Sequence, residues 1–330
     1  MKTPDNWALM MSAAKQYYQL GLSQDVIAKN LYVSKSTVSR LIKKAVELGY
    51  IEFKINNFSE ADEALQHEFL QTYGIPCHIL PSLVDSELVR LNDVCAFAAE
   101  DIFSHLEDGE IIGVPWGQTI EYLAANILEP IDQYRDLKVC MINGFINGSI
   151  RSMRAIHIVE KLSSMLNATG YVMPCPLLVA DQSVKRALLS DPSIRQISDL
   201  IQNVSTVIFS VGLCDLRNPQ LRGMGIDAAD QLEACAGAGN LAGRTYDIDG
   251  VEIETNLYHR LMSPRLATLA GAKKRLCIAV GDHKARPVLG LLRGGFITRL
   301  YTDTQTARAI LKEHKNLSAC NRNGGPRRGA

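Results

Sequence analysis

Residues 22–55 read LSQDVIAKNLYVSKSTVSRLIKKAVELGYIEFKI, and the fold of the N-terminal part of the chain is decided here. The segment SQDVIAKNL (23–31) reads as a short helix capped by Ser23, with Val26 and Ile27 on its apolar side. After a link of about LYV, SKSTVSRLIKKAVELG (34–49) reads as a second helix. Ser34 caps it, Val38, Leu41, Ile42 and Ala45 recur at helical spacing, and Gly49 ends it. Two short helices so joined make a helix-turn-helix once a third element covers them. Upstream, a helix from about Asn6 to Leu20 stops at Gly21 and offers Ala8, Met11, Ala14 and Tyr18 as an inner stripe.

With the apolar positions turned inward, Lys35, Ser36, Thr37, Ser39, Arg40, Lys43 and Lys44 are left for solvent or for DNA. Short hydroxyl side chains near the start of a recognition helix can approach base edges, and longer cationic ones reach guanine or phosphate. The plain alternative is a helical packing unit with a solvated charged face. Charge favours DNA. The chain is neutral overall, yet residues 1–57 carry seven Lys and Arg40 against Asp5, Asp25, Glu47 and Glu52, a net +4 that the remainder balances. Double-stranded operator DNA is the expected partner. The segment GYIEFKI (49–55) alternates as a short strand, and residues 60–73 return to helix with Ala64, Leu65 and Phe69 as a stripe suited to self-association.

The remainder of the 330 residues alternates apolar runs with helical patterns. EIIGV (110–114), LKVCMIN (137–143), STVIFSVG (205–212), RLCIAVG (275–281) and FITRLYT (296–302) read as strands covered on both faces. Residues 118–129, 151–167, 182–189, 284–292 and 304–311 read as helices. The fold class is therefore α/β: an N-terminal all-helical head followed by a larger, open, mostly parallel α/β domain. Three segments are expected: a DNA-binding head over 1–57, an effector domain over 58–311, and a disordered tail over 312–330, where periodicity stops.

Open α/β sheets bind ligands beyond the carboxyl ends of their strands. Four loops satisfy that rule: GVPWGQT (113–119) with Gly113, Gly117 and Thr119, NGFINGS (143–149) with Asn143, Asn147 and Ser149, VGLCDLRNPQLRG (211–223), and GDHKARP (281–287) with Gly281 and Lys284. A lysine opening a helix directly after a strand suits a phosphate. GAGNLAGRTYDIDG (237–250) reads first as a tight turn followed by Asp-Ile-Asp-Gly turn chemistry. The competing reading has Asp247 accept from sugar hydroxyls. Neither a Walker-type loop nor a dinucleotide fingerprint is present, so no nucleotide cofactor is expected.

The head, GVPWGQT, MPCPLLVADQSVKRALLSDPSI (173–194) and GDHKARPVLGLLRGGFITRLYTDTQTARAIL (281–311) together resemble the SorC family of sugar-responsive regulators, over the chain to about residue 311. The resemblance implies an effector domain related to phosphosugar isomerases but without catalysis, a sugar or sugar-phosphate effector, and a dimer or tetramer. It implies effector contacts from Asp247 and, for the phosphate, Lys284. Two departures stand out. Asp282 follows Gly281 where the family usually has a second glycine, and Cys214 and Asp215 replace a glycine and a small polar residue.

The eight cysteines form no Cys-x-x-Cys pair and several lie in apolar runs, as core residues of a reduced compartment do. The seven histidines form no ligand spacing, so no metal is expected. Neither a signal-peptide pattern nor an 18-residue apolar run is visible, which points to the cytoplasm and no membrane partner. The runner-up function is a phosphosugar isomerase-like enzyme with an accessory head. Asp215, Asp247, Asp282 and His283 are its candidate bases, but no two stand at a persuasive catalytic spacing.

Overall fold

The computed structural model describes residues 4–51, 63–145, 150–214, 237–255 and 257–322. The chain divides into two compact units, residues 1–58 and 59–330.

The first unit holds three helices: α1 (Pro4–Tyr18), α2 (Gln24–Asn30) and α3 (Lys35–Glu47). Both expected caps form. Ser23 accepts from the Val26 amide at 3.4 Å and Ser34 from the Thr37 amide at 3.2 Å, satisfying donors that a helix start leaves open. Val38, Leu41, Ile42 and Ala45 are buried with Ile27, Met10, Ala13 and Ala14 in a core of the unit's own. The stripe of α1 differs from the expected one: Ala8 and Tyr18 are exposed, and Met10, Ala13 and Ala14 turn inward. Two adjacent alanines present the smallest face to α3 and let the helices close. Val26 is also exposed, leaving Ile27 as the buried residue of α2. Of the expected strand over 49–55, residues 49–51 form a turn and bend instead, and 52–55 lie outside the described residues.

The second unit is built on a seven-stranded sheet. Its strands are β1 (Cys77–Leu80), β2 (Ile111–Val114), β3 (Lys138–Met141), β4 (Thr169–Tyr171), β5 (Thr206–Phe209), β8 (Lys274–Ile278) and β9 (Arg299–Asp303). Their order is β1-β9-β8-β5-β2-β3-β4, and every neighbouring pair is parallel. Strands β6 (Gly239–Leu241) and β7 (Arg244–Tyr246) form a separate antiparallel hairpin. The period of two along each strand sends alternate side chains to opposite faces. Val207, Phe209 and Cys277 join one core layer, while Ile208, Leu276 and Ile278 join the other. Helices α5 (Glu87–Ser104), α6 (Gln118–Ala125) and α7 (Ile150–Met165) contribute to the second layer. The first layer is covered by α4 (Glu63–Tyr73), α9 (Pro192–Gln202), the short α10 (Leu266–Leu269), α11 (Ala285–Arg293) and α12 (Thr304–Arg322). Helix α8 (Gln182–Ser190) precedes α9.

Two expectations are corrected here. Leu65 and Phe69 of α4 are buried inside this unit's own core, so only exposed Ala64 of that stripe is left for a second copy. The segment from residue 312 is helical as far as Arg322 rather than disordered. Its polar composition conceals a packed face: Tyr73 Oη and His314 Nδ1 share a hydrogen bond of 2.9 Å, and Leu317 packs on the core. Residues 323–330 lie outside the described residues.

Candidate functional site

On the head, Lys35, Ser36, Ser39, Arg40, Lys43 and Lys44 are exposed and Thr37 is half-buried beneath the cap. One helix face therefore carries the hydroxyl and cationic groups together. Lys35 pairs with Asp25 of α2 at 2.8 Å and Lys43 with Glu47 at 3.7 Å. Such solvent-exposed pairs are weak and give way readily to a phosphate. Ser34 Oγ lies 2.9 Å from Ser36 Oγ and 2.8 Å from Thr37 Oγ1, which fixes the first turn of α3.

In the body, strand order locates the crevice. From β2 the chain moves through β3 to β4 at one edge, whereas from β5 it moves through β8 to β9 in the opposite direction. The neighbours β2 and β5 thus form the topological switch point, where the loops that follow diverge and leave a cleft. Gly113 in β2 is required by space, because a Cβ there would stand 2.8 Å from Ile142 Cγ2. Beyond β2, Gly117 caps α6 and Thr119 is buried in its first turn. Trp116 Nε1 donates to the Gly144 carbonyl at 3.2 Å and ties the β2 loop to the β3 loop. Asn147 and Ser149 in that β3 loop lie outside the described residues.

From the β8 side, Gly281 takes φ +109° and its amide donates to Thr306 Oγ1 at 2.7 Å. Lys284 caps α11 and sends its ammonium to the carbonyl of Val211, in the loop after β5. Desolvation holds its pKa below the ordinary lysine value, only partly opposed by Cys277 and Glu87. Asp282, which departs from the family's second glycine, is exposed. A different acid approaches: Glu87 Oε2 lies 2.6 Å from where a Gly281 Cβ would stand and 3.6 Å from His283 Nδ1.

Asp247 is used by its own turn. Its Oδ1 accepts from the amides of Asp249 and Val251, each at 2.9 Å. The glycine-rich stretch before it is the β6–β7 hairpin, turning at Ala242 and Gly243 with φ +52° and +92°. Both turn readings describe what the backbone does. No hydrogen bond or ion pair joins Asp247 to Lys284 among the described residues. The Asp247 carbonyl instead lies against Gly290, six residues along α11 and about 9 Å further up its axis.

Three buried polar groups stand out beside these: Asn143, which the sequence offered in the NGFINGS loop, and Ser210 and Asn240, which it passed over. Among the described residues, the side-chain amide of Asn143, wholly buried after β3, has no hydrogen-bond partner, and neither has Ser210 Oγ after β5 or Asn240 Nδ2 in β6. Buried polar groups in native proteins are nearly always paired, so those left over at strand ends are candidates for ligand contact. For Asn143 and Ser210 the signal was position, directly past an apolar run; Asn240, inside the glycine-rich stretch, had none. Burial pushes Cys95, Cys140 and Cys277 up to about 12 and Cys175 up to about 11. Among the described residues no three His, Cys, Asp or Glu are grouped to hold a metal, and no helix is long and apolar enough to cross a membrane.

Comparison with known proteins fits both halves. Residues 56–312 match the family described as "Putative sugar-binding domain", and residues 7–51 match a helix-turn-helix domain. The chain belongs to the SorC family of transcriptional regulators. It is 26% identical over 324 residues to the sorbitol operon regulator of Klebsiella pneumoniae, covering 94% of this chain and 100% of that one. It is 26% identical over 309 residues to the deoxyribonucleoside regulator of Bacillus subtilis, covering 92% and 97%. The crystal structure of full-length SorC from Klebsiella pneumoniae superposes with a TM-score of 0.74, again at 26% identity and over 94% and 100% of the two chains. In this SorC-family chain, as in those regulators, a DNA-binding head is joined to a sugar-binding domain.

Proposed function

We propose that this protein controls transcription of an operon for carbohydrate or polyol use, acting in the cytoplasm as a non-catalytic, effector-responsive homo-oligomer. The head binds operator DNA through Lys35, Ser36, Thr37, Ser39, Arg40, Lys43 and Lys44. A sugar or phosphorylated sugar occupies the switch-point crevice, with Gly117, Thr119, Asn147, Asp247, Gly281 and Lys284 as its contacts. The observation that carries this reading is Lys284, a desolvated ammonium held by a lone carbonyl at the end of β5. An incoming phosphate supplies a better acceptor than Val211 and restores the charge that burial disfavours. Asp247 takes part through Oδ2, since Oδ1 is committed to its turn.

A thermal-shift screen of paired free and phosphorylated sugars on the wild-type and Lys284→Ala proteins tests the reading. A ligand selective for the folded state raises the apparent melting temperature. The expected result is a shift with one phosphorylated sugar that Lys284→Ala abolishes. Equal shifts in both proteins would place the ligand elsewhere.

A further inference from the structure

Away from the switch point, the body contains a cavity of about 470 Å³ between α8, α9 and residues 258–268. None of Gly117, Thr119, Asp247, Gly281 or Lys284 lines it. Its walls are cationic, with Lys185 and Arg186 from α8, Arg244 from β7, and Arg265. Its floor is apolar and includes Ile142, Met173 and Met262. Among the described residues, Glu252 is the one carboxylate paired with this cluster, 3.3 Å from Arg244, with a second tie to the Leu266 amide at 2.8 Å. The cluster is therefore left with a surplus of positive charge.

The four cations have different standing. Arg244 is buried and spent: it donates to the carbonyls of Tyr258, Ser263 and Pro264 and to Ser263 Oγ, so it supplies field rather than contacts. Arg265 lies over the same ring as Arg244, its guanidinium 5.0 Å from the Tyr258 ring centroid and that of Arg244 5.1 Å from it. Stacking fixes the guanidinium plane and leaves its edge donors available. Among the described residues, neither Arg186 nor Arg265 donates a side-chain hydrogen bond to protein. Lys185 gives one proton to the Leu261 carbonyl at 2.7 Å and keeps two donors. Burial, then Arg244 and Arg265, push its pKa down to about 8. Like charges are thus crowded around an opening that no protein anion fills.

We infer that this cavity is a second ligand site, separate from the switch-point crevice, that takes a small organophosphate: the dianion meets Lys185, Arg186 and Arg265, and the carbon body lies on the apolar floor. The site is also wired to the first. Lys185 and Arg244 both hold the Leu261 carbonyl, and the next carbonyl, Met262, accepts from the Gly144 amide at 2.9 Å in the loop after β3. An anion that draws Lys185 away from Leu261 acts on the same loop that Trp116 ties to β2.

Calorimetry on the full-length protein with inorganic phosphate and phenyl phosphate tests the inference. Saturable binding is expected, tighter for phenyl phosphate because of the apolar floor. The double variant Arg186→Gln/Arg265→Gln, altered at two exposed positions and checked for an unchanged melting temperature, should bind phenyl phosphate at least about tenfold more weakly, as expected for lost charged hydrogen bonds. Lys284→Ala should leave this affinity unchanged, so the result stands apart from that of the crevice. No saturable binding of either probe at millimolar concentration overturns the proposal. So does binding that survives in the double variant, or binding that is lost in Lys284→Ala.

Discussion

Lys284 shows how little of a residue's role is carried by its type. Its position at the start of α11 was legible as a cationic group directly after an apolar strand. That its ammonium reaches across to the β5 loop was not, because the order β8-β5 is a property of the sheet. With Lys284 on the effector's phosphate as proposed, replacing it with Ala is expected to cost a charged hydrogen bond, about 2 kcal/mol or roughly thirtyfold in affinity, while operator binding by the head persists. Calorimetry with the effector found in the sugar screen reads the first outcome and gel retardation the second. Lys185 offers a contrasting test through proton linkage. Its pKa falls from 10.5 to about 8 in the folded protein. Between those values the unfolded chain binds a proton that the folded chain does not, so this group's penalty is full below pH 8 and fades as pH rises toward 10.5. Lys185→Met has no such group. The stability of the variant minus that of wild type should therefore decrease from pH 8 to pH 10 in urea titrations, and a difference that grows with pH would contradict the burial of Lys185 between Arg244 and Arg265.

At the level of elements, legibility followed length and contrast. Helix α3 was readable because a serine cap precedes four apolar residues at helical spacing and cationic residues fill the gaps. The five central strands were readable as continuous apolar runs. Edge strands β1 and β4 were not, since CHIL is only half-buried and TGY is three residues long. The β6–β7 hairpin hid in glycine-rich sequence whose burial comes from packing against α11. Helix α9 escaped notice although Asp191 caps it and Pro192 opens it, a recognisable start. Two predictions belong here. Ser34→Ala should lower the stability of the head by about 1 kcal/mol and weaken operator binding, because the Thr37 amide loses its acceptor at the helix that carries the cationic face. Gly290→Ala tests the packing of α11. In an ordinary helix interior that change is stabilising. Here the new Cβ would stand 2.8 Å from the Asp247 carbonyl, and Gly250, at φ +76°, already leaves no room on the facing turn. The expected outcome is a lower melting temperature and weaker effector binding through displacement of the Asp247 turn. A higher melting temperature would show that the turn yields at no cost.

For the whole molecule, the division of charge and of core makes the two activities separable. The head encloses its own apolar cluster and the body has two more, one on each face of the sheet. A net +4 over residues 1–57 sits beside an opposite balance in the remainder. A fragment starting at Ser59 is accordingly expected to keep its effector-induced thermal shift and to lose operator affinity. Operator binding by the full chain should fall steeply with salt, because each neutralised phosphate releases a counterion and contributes about −0.9 to the slope of log affinity against log salt. Lys43 and Lys44 are exposed on the recognition helix, and Lys43 is engaged only by Glu47 at 3.7 Å. If both contact phosphate, the double variant Lys43→Ala/Lys44→Ala should flatten that slope by about 2 and weaken specific and non-specific DNA alike. Arg40 lies nearer the start of α3, 3.5 Å from Thr37 Oγ1, and the proposal gives it a base to read. Arg40→Ala should then relax preference for the operator over other DNA by more than it changes the salt slope. A slope unaltered in the lysine variant, measured by fluorescence anisotropy across a salt series, would move the DNA contact off this face of α3.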